Sequence, residues 1–581
     1  MTLTTRLRRG RRHLDRLPGR VPAPQARPRL TRHTLPTAAR PSCGPLGHPS
    51  SWSRHAMSTP PAAPSAPSWP HCAHDADPAT DPVGCRGIHV PGHTACLAHL
   101  TDTDRDTYLA GLTPGADIDH RGTPFTEDLL NRLLTALHDP TTQQPRLGQA
   151  SFGWAYFCED AWFEGAYFSG NAWFEGAQFS GLALFGSAQF SDDARFDGAQ
   201  LLTASWWGPV VCAGVVDLSG AVFGAPVTLE IAAREVRCVR TRWESTATAR
   251  IRHASVDLGY AVLAAPVAVT AHPTPFTTAD GQAVDEQLLA GPATVRVASV
   301  QGVDAALLVL TDTDLTDCFF SGAFHLDQIR LEGRTLFAPP PTGWHRRGLR
   351  PLRWTRRRAL AEEHHWRAQT AGQPAPTAGQ APSPRRWRTG AHHPDPARTP
   401  DPDDVAALYR QLRKAFEDGK NEPGAADFYY GECEMRRHDH TGTPKTERGL
   451  LWAYWLLSGY GLRATRALGW LTAAMLATIV LLMGFGLPDS SPKQEATRTV
   501  PSGGGKVTFT IDKQDPKNPA RNRFTNQRFE KALNITLNSV VFRSSGQDLT
   551  TTGTYIEMTS RLLEPALLAL AVLAVRGRIK R

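Results

Sequence analysis

Between positions 150 and 204 alanine recurs at 150, 155, 161, 166, 172, 177, 183, 188, 194, 199 and 204, in steps that alternate five and six. Phenylalanine stands two residues after most of them, at Phe152, Phe157, Phe163, Phe168, Phe174, Phe179, Phe185, Phe190 and Phe196. An α-helix cannot exploit this spacing, because steps of five and six turn about 140° and 240° and scatter the rings around the axis. In extended chain, residues two apart share a face, so each Ala–Phe pair points one way and a corner must follow. Gly165, Gly170, Gly176, Gly181 and Gly198 suit corners and oppose a helix. Inward pairs separated by corners predict a β-solenoid whose coils stack on one another.

The Ala-x-Phe unit resembles the pentapeptide-repeat family. The resemblance implies a mainly β fold, a right-handed, four-sided β-helix with a small and a large apolar residue pointing inward from each side. The sixth residue in alternate units departs from the strict five-residue form. Weaker units continue at Val216-Asp217-Leu218, Ala221-Val222-Phe223, Thr313-Asp314-Leu315, Cys318-Phe319-Phe320 and Ala323-Phe324-His325. Residues 150–337 therefore read as one imperfect solenoid with irregular insertions between about 230 and 300. Tyr156, Trp162, Tyr167 and Trp173 should point outward, under flanking helices or as a contact surface. The outward charge is acidic: Glu159, Asp160, Glu164, Glu175, Asp192, Asp193 and Asp197 against Arg195.

The formal charge of +9 over 581 residues does not indicate nucleic-acid binding. Residues 1–56 hold twelve Arg and one acid, Asp15, a net of +11, which leaves about −2 (9 minus 11) for the rest. That Pro- and Arg-rich segment lacks apolar periodicity and is expected to be disordered; translation from Met57 would exclude it. Residues 57–149 form an N-terminal cap. Within it Cys72, Cys85, Cys96 and His99 offer a Cys3His set for a structural zinc, with His74 competing for a place. No other cofactor is expected. Thr126 to Leu137 shows an apolar helix face of Leu129, Leu130, Leu133, Leu134 and Leu137, placed to cover the first coil. Nine scattered cysteines do not form a disulfide framework, and Cys158 and Cys318 read as small core residues.

Residues 338–402 read as a disordered basic, Pro-rich linker. Its run Arg346, Arg347, Arg350, Arg353, Arg356, Arg357 and Arg358 suits either anionic lipid or solvent, and His364-His365 and His392-His393 read as solvated. Residues 403–446 form a helical hairpin that resembles a segment of membrane-bound pentapeptide-repeat proteins of high-GC bacteria. Residues 447–581 form an α-helical membrane module: an interfacial helix 449–460, a first span 467–487, an outer loop 488–554, a second span 555–575 and a basic tail 576–581. Glu557, Arg561 and Glu564 would fall in the second span and should face protein or water.

The order span, short helix (529–542), Thr551-Thr552-Gly553 loop and span resembles two-span pore-loop channels. Tyr555 stands where the filter motif of that family has its last glycine. Gly459, Gly461 and Ala464 match G-x-G-x-x-A, a weak dinucleotide signal without a preceding strand; some relatives carry the name membrane-associated oxidoreductase. No catalytic constellation is evident. The expected function is a scaffold or recognition protein that displays a cytoplasmic β-helix at the bacterial inner membrane with both termini inside. The alternatives are a channel-like subunit and a membrane-associated oxidoreductase. Its partners would be membrane lipid and a protein the sequence does not name. A homo-oligomer through the membrane module is open, and nucleic acid is not expected.

Overall fold

The computed structural model describes residues 66–579, apart from 204, 279, 290, 343, 348–349, 376–382, 391–398, 490–493, 499–508, 514–516, 520, 542 and 544–545. The expectations for 1–56, the start at Met57 and His392-His393 lie outside the described residues. So do those for the side chains of Arg346, Arg347, Arg350 and Arg353 and for the end of the basic tail.

Each regular coil has four two-residue strands, such as Ala150–Ser151, Tyr156–Phe157, Ala161–Trp162 and Tyr167–Phe168. The next coil stacks on it in parallel register, Ala150 on Ala172 and Ala172 on Ala194, a repeat of 22 residues (172 minus 150). The extra residue of each six-residue side is a left-handed corner. Trp154, Gly165, Gly176, Ser187 and Gly198 all have φ between 53° and 69°, eleven residues apart. These corners carry the stacking ladder: Trp154 N–H donates to Glu175 O at 2.7 Å, Gly176 to Asp197 at 2.8 Å and Gly198 to Ser219 at 2.8 Å. Asp160 and Asp193 accept the N–H of Leu182 and Val215 one coil on, both at 2.8 Å. Part of the acidic stripe thus staples adjacent coils.

Beyond residue 204 the sides lengthen into Ser205–Asp217 and Val227–Arg237. The repeat then shortens to 20 residues, Phe223 on Trp243 and Trp243 on Leu263 (243 minus 223). The solenoid stays regular through Ala271, so the expected irregularity from 230 is corrected. Among the described residues, those after Ala271 and before Arg296 leave the coil; Phe276 and Val284 there cover Val211 and Ala232.

Inside, the rings form columns. Phe152, Phe174 and Phe196 stack at 5.2 and 4.7 Å, Phe157 on Phe179 at 4.6 Å, Phe163 on Phe185 at 5.0 Å and Phe168 on Phe190 at 4.6 Å. Neighbouring columns meet edge-on, as Phe174 does Phe185 at 89°. This packing gains about 0.5–1.5 kcal/mol per pair beyond burial. Trp162 and Trp173 are half-buried, and the Tyr156 and Tyr167 hydroxyls accept from Ser180 and Ser191 one coil on. Cys318 is buried in the core with Cys212 and Cys238, whereas Cys158 is only half-buried at the surface.

Both ends of the core are covered. At the start, α1 (Asp102–Ala110) and α2 (Glu127–Ala136) pack over the first coil. The hydroxyl of Thr126 accepts from Leu129 N–H and starts α2, whose four leucines join the Phe core. At the far end, α3 (Ala361–Thr370), α4 (Pro402–Asp418) and α5 (Glu422–His438) close the solenoid. Leu360, Leu412, Phe416 and Phe428 are continuous with the same core. The buried carboxylate of Glu362 accepts from the N–H groups of Phe320 and Ser321, open donors of the final coil. The linker reading is corrected here: the described part of 338–402 contains a packed helix, and His364 and His365 are buried rather than solvated.

Next, α6 (Lys445–Ser458) leads through a tight turn to α7 (Ala464–Leu481), which continues as a wider-wound turn to Gly486. Helices α8 (Asn526–Val540) and α9 (Thr551–Ile579) follow. Two stretches, Ala464–Gly486 and Thr551–Arg576, are long and apolar enough to cross a membrane. Both begin earlier than expected. Glu564 is buried against α7 and accepts from the Thr478 hydroxyl at 2.9 Å, and buried Glu557 pairs along its own helix with half-buried Arg561 at 3.0 Å. Helix α8 folds back onto the end of α7: Arg528 donates to the carbonyls of Met483 and Leu487 at 2.9 and 2.8 Å.

Candidate metal centre

Two short segments and one turn of the N-terminal cap converge on a single point. The chain around Cys72 and that around Cys85 pair through Cys72 N–H to Gly87 O (2.8 Å), Ala73 N–H to Cys85 O (2.9 Å) and Cys85 N–H to His74 O (2.9 Å). Left-handed Ala73, Asp75 and Gly84 make the tight returns. The third segment is the turn from Cys96 to His99, closed by His99 N–H to Cys96 O at 2.9 Å. Arg105 of α1 clamps that turn by donating to the carbonyls of Leu97, Ala98 and Leu100 at 3.1, 3.0 and 2.9 Å.

The donor atoms of Cys72, Cys85, Cys96 and His99 all lie within 4.8 Å of one another. Cys85 Sγ is 3.7 Å from Cys96 Sγ, and His99 Nδ1 is 3.5 Å from Cys72 Sγ and 3.4 Å from Cys96 Sγ. Ligands about 2.3 Å (S) and 2.0–2.1 Å (N) from a tetrahedral ion stand about 3.5–3.8 Å apart, so these three spacings suit such an ion. The cysteines are free thiols. The contact with Cys96 holds the Cys85 thiol down to about 4, and Cys96, facing it, is pushed far up. Gly87 N–H points at Cys85 Sγ at 3.5 Å, and any Cβ on Gly87 would meet Cys96 Cβ at 2.6 Å. His74 stays outside the set and stacks on the His99 ring at 4.1 Å.

The centre is tied to the solenoid. Trp69 packs on Trp154 of the first coil at 5.6 Å and donates to Arg86 O at 2.9 Å, while Ile88 N–H donates to Arg121 O at 2.8 Å. Val90, Leu97 and Leu100 belong to the same core as the Phe columns.

The other residues singled out from the sequence take structural parts. Thr551, Thr552 and Gly553 are not a loop but the first turn of α9, so their carbonyls do not line a filter. Thr550 supplies the cap, accepting from Gly553 N–H at 3.1 Å and donating to Phe485 O at 2.8 Å. Gly553 is glycine because helix meets helix there: a Cβ would meet Gly486 O at 2.4 Å. Gly459 and Gly461 are left-handed residues of the turn between α6 and α7, with Tyr460 also at φ 58°, and Ala464 opens α7. Helix, not strand, precedes this match, which is unlike a dinucleotide fold.

One cluster escaped the sequence reading. Buried Arg357 donates to Glu363 Oε1 at 2.6 Å and to the Tyr409 hydroxyl at 3.0 Å. Arg367 joins Glu363 at 2.7 Å to Glu434 at 3.2 Å, and Glu434 also accepts from Arg437 at 2.7 Å and the Tyr460 hydroxyl at 3.0 Å. The chain of charges runs from α3 through α5 to the turn before α7. Its sequence traces are the Glu363/Arg367 pair at i,i+4, set in Pro-rich surroundings, and the Glu434/Arg437 pair at i,i+3.

Residues 163–208 match the family model for pentapeptide repeats (9 copies). No curated protein and no solved structure matches the chain. The match spans the Phe columns from Phe163 on, so the likeness is to the repeat; Phe152, Phe157, the coils after 208, both caps and the apolar helices lie outside it.

Proposed function

We propose that this chain is a membrane-anchored scaffold, in which a rigid pentapeptide-repeat solenoid is held at a fixed attitude to the inner face of a bacterial membrane and presents its flanks to a protein partner. The observation that carries the reading is the unbroken packing from the N-terminal cap, through the coil, into α5 and, by way of Tyr460 on Glu434, to the turn that opens the first apolar stretch. A flexible tether would only localise the solenoid; this junction would also orient it. Zinc bound by Cys72, Cys85, Cys96 and His99 would have four protein ligands and no open position, the arrangement of a structural site.

Two measurements test this. Membranes containing the full chain are washed with alkaline carbonate; retention in the pellet until detergent is added is expected, and release without detergent would reject the anchor. A photo-crosslinking residue placed at Gln178 or Val262, both exposed, should give a discrete adduct in native membranes. Only diffuse or self-adducts would reject a protein partner on these flanks.

A further inference from the structure

A cavity of about 110 Å³ lies beside the buried Arg/Glu chain, lined by Trp354, Thr355, Arg357, Arg437, Glu434 and Trp455, among others. That is room for several waters or one small polyatomic ion. Its charge is the first clue. The buried cluster holds three arginines (357, 367 and 437) against two glutamates (363 and 434), one positive charge in surplus. Both glutamates stay ionised despite their burial, held below the usual carboxylate range by these arginines. His438, which also lines the space, is driven down to about 4 by burial and adds no charge at neutral pH. Burying an uncompensated charge is costly, and an anion in the cavity would offset it.

The aromatic walls point the same way. An aromatic box would ordinarily suit a quaternary ammonium group, but these faces are taken. Arg367 lies over Trp354 at 4.7 Å and over Trp387 at 5.0 Å; Arg437 and Arg466 lie over Trp455 at 4.7 and 5.0 Å. A cation would find no free ring and a positive field. Arg437 Nε is buried without a hydrogen-bond partner, in a side chain that lines the space. The location supplies the last element. Trp455 sits on α6, Arg466 in the first turn of α7 donates to Trp455 O at 2.7 Å, and Leu450 and Trp452 of α6 are exposed. The cavity therefore opens where the solenoid cap meets the start of the first apolar stretch.

We propose that this cavity binds a phosphate-type anion, either a phospholipid headgroup or free phosphate, which neutralises the junction and locks the solenoid cap to the helix that enters the membrane. The lipid source rests on the membrane reading above; binding of the anion itself does not, so the two can fail separately.

The full chain in a phosphate-free maltoside detergent is the test material, read by tryptophan fluorescence and by thermal unfolding. Inorganic phosphate is titrated in one arm and phosphatidylglycerol in mixed micelles in another, each against sodium chloride of matched ionic strength. A saturable fluorescence shift with a raised Tm is expected in at least one arm. Response to phosphate alone assigns a soluble anion, and response to phosphatidylglycerol alone or to both assigns a headgroup. Arg437→Gln should raise the half-saturating concentration about tenfold or more through loss of a charge-assisted fork. Thr355→Leu, which fills the cavity and leaves every ion pair in place, should abolish the response and serves where Arg437→Gln does not fold. No response beyond chloride in either arm, or an undiminished response in Thr355→Leu, overturns the proposal.

Discussion

The two ends of the solenoid meet one problem with opposite chemistry. A coil stacked on nothing exposes its apolar interior and a row of backbone donors, and each end must be covered. The N-terminal cap is a small, loop-rich layer: two helices of nine and ten residues and a convergence of three thiols and one imidazole. The C-terminal cap is three packed helices whose hidden charges bind one another. The first buries leucines of α1 and α2 in the Phe core, and under the zinc reading coordination, which is strong and local, would hold its loops. A layer with ample surface can carry a buried ion chain, which adds direction more than stability. Only the second end continues into the apolar helices, and under the proposed function it is the end that would set the solenoid's attitude.

The largest expected difference between the ends lies in metal. Structural zinc in small domains contributes on the order of 10 kcal/mol of apparent binding energy that is also folding energy. The purified chain should hold one zinc equivalent by elemental mass spectrometry. A strong chelator, or Cys96→Ser, should then open residues 66–110 to protease while the solenoid's circular dichroism and the far cap stay unchanged. An unchanged digestion pattern would remove the contrast. The next effect belongs to the far end. Glu363→Ala leaves Arg357 and Arg367 buried without their shared carboxylate and should cost about 3–5 kcal/mol, read as a lower denaturant midpoint with proteolysis confined to 354–440. Smaller again, Gly87→Ala drives a methyl into Cys96 and should cost about 1–3 kcal/mol, with a parallel loss of zinc affinity.

The two caps were also unequally legible. Cys72, Cys85, Cys96 and His99 could be singled out because thiol and imidazole are rare and chemically specific, even at irregular spacing. The Phe columns were legible for a related reason: one residue type recurred with a period no helix can use. The corner geometry was hidden, since Trp154 and Ser187 take the same left-handed turn as Gly165 and Gly176 without being glycine. In the far cap the hairpin of α4 and α5 was legible from its apolar faces, but α3 and the ion chain were taken for linker because Arg and Glu are ordinary surface residues, and no local pattern tells that Arg357 will meet Tyr409, fifty-two positions on. The Thr551-Thr552-Gly553 run misled in the opposite sense. A short motif suggested a filter, while its threonine neighbour and its glycine serve a helix cap and a close crossing.

Acid should separate the ends by the smallest and most graded effect. His364 and His438 of the far cap are lowered by burial to about 3 and about 4, and His120 of the near cap to about 4. A histidine whose folded value is depressed favours the native state fully above its ordinary value near 6.5, and that contribution is lost as pH falls toward the folded value. Each loses up to about 1.4 kcal/mol per pH unit in that window. Glu363 and Glu434, also lowered, act in the same sense below about 4.5, the ordinary glutamate value. Two lowered histidines against one predict that amide exchange protection in α3 and α5 falls more steeply than in α1 and α2 between pH 6.5 and 5, a contrast lessened by Glu362 and Asp427, whose carboxyls burial raises and which act in the opposite sense. Should α1 and α2 fall faster, zinc must appear in solution over the same interval, since protons compete for its thiolates and imidazole. Faster loss there without released zinc would show that coordination does not hold the near cap.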